Sequence, residues 1–294
     1  MLKNIIFSCC IIGMVSLSAQ SFLDGVHANE IIMDKIVGID IDDTLGINNL
    51  NKFYYNSQNT AISPDNIYKA ETRTQGRYGD GIWVVNLGNK KEGQIDERGV
   101  MPKWSPDGLL LSYLKRKIRE NEFWKDHQLY GGHELWIYDR VKMNTKKITS
   151  DISIEEYLWN PKGGNIAINY RRMEKQVSSP SLLGIIDIKN NNLAVIDSGS
   201  PYNEINFTFS PNGKMLAYVN PIHWELDAEW FITDAEIFIA DIDGNNKTQL
   251  TNTKEVEEMV KWSKDGKSLF IVEHSSTPCD LSVRPYVKIL LKKK

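Results

Sequence analysis

Apolar residues in this chain fall in short runs bounded by turn-forming residues, not at helical intervals. Leu109-Leu110-Leu111-Ser112-Tyr113 follows Ser105-Pro106-Asp107-Gly108, and Met215-Leu216-Ala217-Tyr218-Val219 follows Ser210-Pro211-Asn212-Gly213. Runs this short, apolar and aromatic, closed at each end by Pro, Gly, Asp or Asn, predict buried strands. A second kind of run follows each of them: Glu134-Leu135-Trp136-Ile137-Tyr138-Asp139 in one case and Glu236-Ile237-Phe238-Ile239-Ala240-Asp241 in the other. Each ends on a short polar stretch and then Lys147-Ile148-Thr149 or Gln249-Leu250-Thr251.

This order of elements is a repeat. Weaker copies start at Ser63-Pro64-Asp65, at Trp159-Asn160-Pro161-Lys162-Gly163 and at Trp262-Ser263-Lys264-Asp265-Gly266. Measured from Pro64 to Pro106, Pro161, Pro211 and Lys264, the copies lie about 42, 55, 50 and 53 residues apart, a spacing suited to propeller blades with loop insertions. In Ser-Pro-Asp-Gly the proline presets φ at the first corner, Asp or Asn accepts the bridging conformation, and glycine takes the position of positive φ. Asp241 to Gly244 reads as another hairpin turn. Four short antiparallel strands per copy predict an all-β β-propeller of five recognisable repeats, with residues Asp42 to Gln58 available for a degenerate sixth blade. The last copy lacks a clear fourth strand, and Ile31 to Ile41 reads as a strand without a blade, so the N-terminus is expected to complete the final blade and close the ring.

Pro102-Lys103-Trp104-Ser105-Pro106-Asp107-Gly108, the Glu134 to Asp139 run and Lys147-Ile148-Thr149, in that order, resemble the PD40 repeats of the TolB-like propeller family. The resemblance covers about residues 58 to 294 and implies the same propeller fold. TolB carries a separate α/β domain ahead of its propeller, whereas only about thirty residues separate the leader from the first repeat here, so the resemblance does not extend to a role in the Tol system.

Composition narrows the function. The 294 residues carry 35 basic and 38 acidic side chains, a formal charge of −3, so no chain-wide basic field exists to neutralise phosphates and nucleic acid is excluded as an expected partner. Lys3 followed by the apolar stretch Ile5 to Leu17 reads as an export signal, and that stretch of about 13 residues falls short of the roughly 20 needed to span a bilayer. A cut after Ala19 or after Ala28 is compatible; Val26-His27-Ala28 fits small-x-small better, which gives a signal peptide over 1–28 and a propeller over 29–294. Cys9 and Cys10 lie inside the apolar stretch, so Cys279 is left alone and no internal disulfide is expected in the periplasmic or secreted, monomeric product.

Two segments read as loops longer than the repeat requires, both between the second and third strands of their blades, and are expected to open on one face. Leu114 to His133 offers Arg116, Arg119, Trp124, His127 and Tyr130; Pro221 to Glu236 offers Trp224, Glu225, Asp227 and Trp230. Aromatic rings beside cations suit recognition of a peptide or carboxylate, and the acidic segment suits a basic one. The histidines show no metal-binding spacing, and Gly-x-Ser-x-Gly is absent, so no metal, cofactor or catalytic residue is expected. The expected function is a non-enzymatic scaffold for an envelope or extracellular protein or peptide. The alternative is a carbohydrate-active propeller, because oligogalacturonate lyases share the TolB-like fold and His127, His133 and His223 are available to it.

Overall fold

A computed structural model describes residues 22–38, 59–75, 79–117, 132–172, 180–198, 205–226, 230–253, 255–275 and 286–294. The first regular elements are a single 3-10 turn, Ala28–Glu30, and strand β1 (Ile31–Gly38). Four antiparallel sheets follow in chain order. They are β2 (Thr60–Ile62), β3 (Tyr68–Gln75), β4 (Gly79–Asn86) and β5 (Glu92–Asp96); β6 (Gly99–Trp104), β7 (Leu110–Arg116), β8 (His133–Asp139) and β9 (Asn144–Lys147); β10 (Ile152–Trp159), β11 (Asn165–Arg172), β12 (Leu182–Asp187) and β13 (Leu193–Ser198); and β14 (Phe207–Phe209), β15 (Met215–Leu226), β16 (Trp230–Asp241) and β17 (Thr248–Gln249). The fifth sheet holds β18 (Glu255–Trp262), β19 (Ser268–Ser275) and β20 (Tyr286–Lys293), and β1 joins it as the fourth strand, in the order β1-β20-β19-β18. The N-terminal strand thus completes the last sheet, Ile31 pairing with Lys293. Residues 42–58, considered for a sixth blade, lie outside the described residues.

The hairpin between the first two strands of every sheet is built alike. Gly108, Gly163, Gly213 and Gly266 have φ of 70°, 75°, 72° and 67°, and in the first copy Asn66 takes the same corner at φ 58°. In the second sheet the Ser105 hydroxyl donates to Asp107 Oδ1 at 2.5 Å and accepts from Leu110 N at 3.0 Å, so one side chain closes both ends of the turn. Ser63 with Asp65 and Ser263 with Asp265 repeat the pattern. A second device recurs in two of the sheets, just after the fourth strand: Thr149 Oγ1 accepts from Leu135 N at 2.9 Å, and Thr251 Oγ1 accepts from Ile237 N at 2.8 Å. These are the threonines of the Ile-Thr and Leu-Thr endings seen in the sequence.

The chain divides into two compact units, Met1–Asp40 with Ala194–Lys294, and Ile41–Leu193. In the second unit, the core around Leu114, Leu135, Ile154, Tyr157, Ile166 and Ile168 is fully buried. Tryptophans tie its successive sheets together: Trp104 Nε1 donates to Ala61 O at 3.2 Å, and Trp159 Nε1 donates to Ser112 Oγ at 2.7 Å and to Lys103 O at 3.2 Å. In the first unit, Met215, Ala217, Ile237, Ile239, Leu269, Ile271 and Ile289 form the core, joined by Leu23 and Ala28 from ahead of β1. Among the described residues no helix is long and apolar enough to cross a membrane.

Candidate functional site

In the Ile41–Leu193 unit, connectors between second and third strands leave from one end. Lys117 N donates to Gly132 O at 3.0 Å, closing the base of the connector that follows β7. His133 N bonds Ser153 Oγ at 3.3 Å and Lys117 Nζ bonds Ile152 O at 3.3 Å, which brings this base against the start of β10. Ile152 pairs with Arg172, the last residue of β11, so the connector after β11 departs beside it. β11 therefore ends at the same end of the unit as β7, a neighbourhood not singled out from the sequence.

This end is rich in charge and closely compensated. Lys115 Nζ lies 2.7 Å from Asp96, Lys147 Nζ 2.5 Å and Lys117 Nζ 3.5 Å from Glu134, and Arg171 is paired with Glu155, which also accepts from Ser181 Oγ at 3.1 Å. Burial pushes the Glu134 carboxyl up, but Lys147 and Lys117 more than offset it and hold the group below its ordinary value. His133 is half-buried; burial first, and then the Arg116 charge, pull its imidazole below its ordinary value, so it is neutral near pH 7. A neutral ring offers one donor and one acceptor. Lys115 also lies over the Trp136 ring, 4.7 Å from its centroid.

The expected loop boundaries need correction here. Leu114, Lys115 and Arg116 belong to β7 and His133 to β8, with Arg116 directly paired with His133. Arg116 is thus a strand residue at the rim. Arg119, Trp124, His127 and Tyr130 lie outside the described residues.

In the other unit the correction is larger. The segment Pro221 to Glu236 was expected as a loop but is strand on both sides: β15 and β16 run 12 residues each, while among the described residues the other strands have eight or fewer. Their pairing continues through Trp224↔Ile232, Glu225↔Phe231 and Leu226↔Trp230. Trp224, Glu225 and Trp230 are therefore carried on a long hairpin, and Asp227 lies in the span outside the described residues. The misreading has a physical source. Pro221 and the acidic composition suggested a break, yet Pro221 sits where the register shifts before His223, a bulge that needs no N–H from it. At the foot of this hairpin Glu236 is fully buried and accepts from Thr253 N at 2.9 Å; burial raises its carboxyl above the ordinary value.

Among the described residues no three of His, Cys, Asp and Glu are grouped to hold a metal ion.

The repeated four-stranded sheets and the completion of the last one by the N-terminal strand define an all-β β-propeller. No protein-family model matches the sequence. Dipeptidyl-peptidase 5 of Porphyromonas gingivalis is 25% identical over 124 residues, 40% of this chain and 17% of that protein. The crystal structure of P. gingivalis dipeptidyl peptidase 4 aligns with 80% of this chain and 38% of its own at a TM-score of 0.57 and 14% identity. A TolB structure from Agrobacterium tumefaciens aligns over 76% of this chain and 71% of its own at a TM-score of 0.48 and 16% identity. The β-propeller domain of the Trilobed protease from Pyrococcus furiosus, described as having an open velcro topology, aligns over 71% and 60% at 0.48 and 18%. The chain thus spans about a sixth of the length of the first peptidase and under two-fifths of the second.

Proposed function

We propose that this chain is an exported, non-enzymatic binding platform that takes a protein or peptide partner at the end of its sheets from which the second-to-third-strand connectors leave. The observation that supports this reading is the rim formed by Arg116, Lys117, His133 and the start of β10. It is a rigid base, anchored by buried strands, from which a connector carrying Arg119, Trp124, His127 and Tyr130 departs. Binding residues on loops held by a rigid scaffold are the usual way such folds recognise partners. In the other unit, the extended β15–β16 hairpin bearing Trp224, Glu225 and Trp230 is a candidate contact in its own right. Export, to the periplasm or beyond, rests on the Lys3 and Ile5 to Leu17 leader pattern.

The reading is tested by crosslinking the tagged protein in the cell envelope and comparing it with the Trp124→Ala, Trp230→Ala double variant. One protein enriched by wild type and lost from the variant is expected. Enrichment of nothing removes the reading, and saccharide degradation that disappears in Glu225→Gln replaces it with the carbohydrate-active alternative.

A further inference from the structure

Residues Phe22 to Glu30 precede the first strand, yet they are embedded in the first unit. Leu23 and Ala28 are both 0% exposed and belong to the same core as Met215, Ile237 and Ile289. Asn212, 8% exposed, donates its amide to Leu23 O at 3.1 Å. Asp241 is shared by three donors: Ala28 N at 2.9 Å, the His27 imidazole at 2.6 Å and Asn246 Nδ2 at 2.8 Å. The segment also folds on itself, His27 N donating to Glu30 Oε2 at 2.8 Å and Glu30 N to the His27 backbone carbonyl at 3.0 Å. At its far end Lys294 N donates to Glu30 O at 2.9 Å, and Lys293 lies over the Phe22 ring.

We propose that Phe22–Glu30 is a permanent clasp of the folded domain and that the leader is cut upstream of it, after Ala19 in Leu17-Ser18-Ala19, not after Ala28. A cut after Ala28 would take away Leu23 and leave a cavity among Met215, Ile237 and their neighbours. It would strip two of the three donors from Asp241 and the acceptor from the buried Asn212 amide, and it would place a charged α-amino group at Asn29. Leader removal acts on the emerging chain before it folds, so burial of Ala28 does not itself block that cut. The structural cost falls on the product, which would have to fold without its clasp. A cut after Ala19 leaves every one of these contacts intact.

The inference rests on the export reading, and two measurements separate their failures. The first is the N-terminal sequence and intact mass of the protein recovered from the envelope or medium. A start at Gln20 is expected, whereas a start at Asn29 overturns the proposal and leaves export standing. A product that keeps Met1 and stays in the cytosol refutes export and processing together. The second compares Gln20–Lys294 with Asn29–Lys294, both expressed without a leader. The shorter chain is expected to melt at least roughly 5 °C lower, or to fail to accumulate as folded protein, and equal melting would refute the clasp.

Discussion

Tyr113 on β7 donates its phenol hydrogen bond to Asp96 at the end of β5, at 3.1 Å, joining two successive sheets through a fully buried ring. Burial and then the Asp96 charge push the phenol far above its ordinary range. Lys115 reaches the same carboxylate at 2.7 Å. The device recurs in the other unit, where Tyr218 donates to Asp197 at 2.7 Å and Lys247 approaches it at 2.5 Å. Tyr113→Phe keeps the packing and removes one bond to a charged acceptor. It should lower the unfolding free energy by about 1.5–3 kcal/mol. The urea midpoint should fall with an unchanged slope, and an unaltered midpoint would mean that the latch contributes nothing.

Gly132 seats the rim. Its φ is +78°, and a Cβ added there would lie 2.3 Å from Ser153 Oγ and 2.5 Å from Ser153 Cβ. Gly132→Ala combines backbone strain with overlap and should cost about 2 kcal/mol or more. Adding Ser153→Gly relieves the overlap and not the strain, so partial recovery in a thermal melt is the expected outcome.

Asn169 on β11 is fully buried, and neither atom of its amide has a hydrogen-bond partner among the described residues. Counting from each Ser-Pro-Asp-Gly-like turn, the same place is held by Thr72, Leu114, Val219 and Val272, three of the four apolar. Asn169→Val should therefore raise stability, by about 1 kcal/mol or more. A drop in melting temperature would show instead that this amide is used.

His27 is held above its ordinary value of 6.5 first by the hydrogen bond to Asp241 and then by that carboxylate's charge. A raised folded-state value means that the contact stabilises fully below the unfolded-state value, near 6.5, and that this contribution is lost as pH climbs through the folded-state value above it. Melting temperature should decline in the wild type as pH rises above the unfolded-state value near 6.5, and stay flatter in His27→Gln. Parallel profiles would remove His27 from the account.

The sheets were legible because local chemistry and global fold agree at the turns: Pro64, Pro106, Gly108, Gly213 and Gly266 announce hairpins that the structure contains. Ile31 and its neighbours were legible as an orphan strand because the last copy was one strand short. The latches were not, since Asp96 and Tyr113 are 17 residues apart and nothing in either segment marks the other as a partner. The β15–β16 hairpin was hidden by Pro221, whose usual meaning in a strand is a break. The clasp was hidden by its resemblance to the end of a leader, since Leu23 and Ala28 suit a cleavage region and a core equally well.

The pairing of β1 with β20 sets an order of events. Ile31 is made long before its partner Lys293, so the fifth sheet stays incomplete until β20 has left the ribosome. Here the pairing of β1 with β20 acts as a timer, delaying completion of the sheet until both of its outlying strands exist.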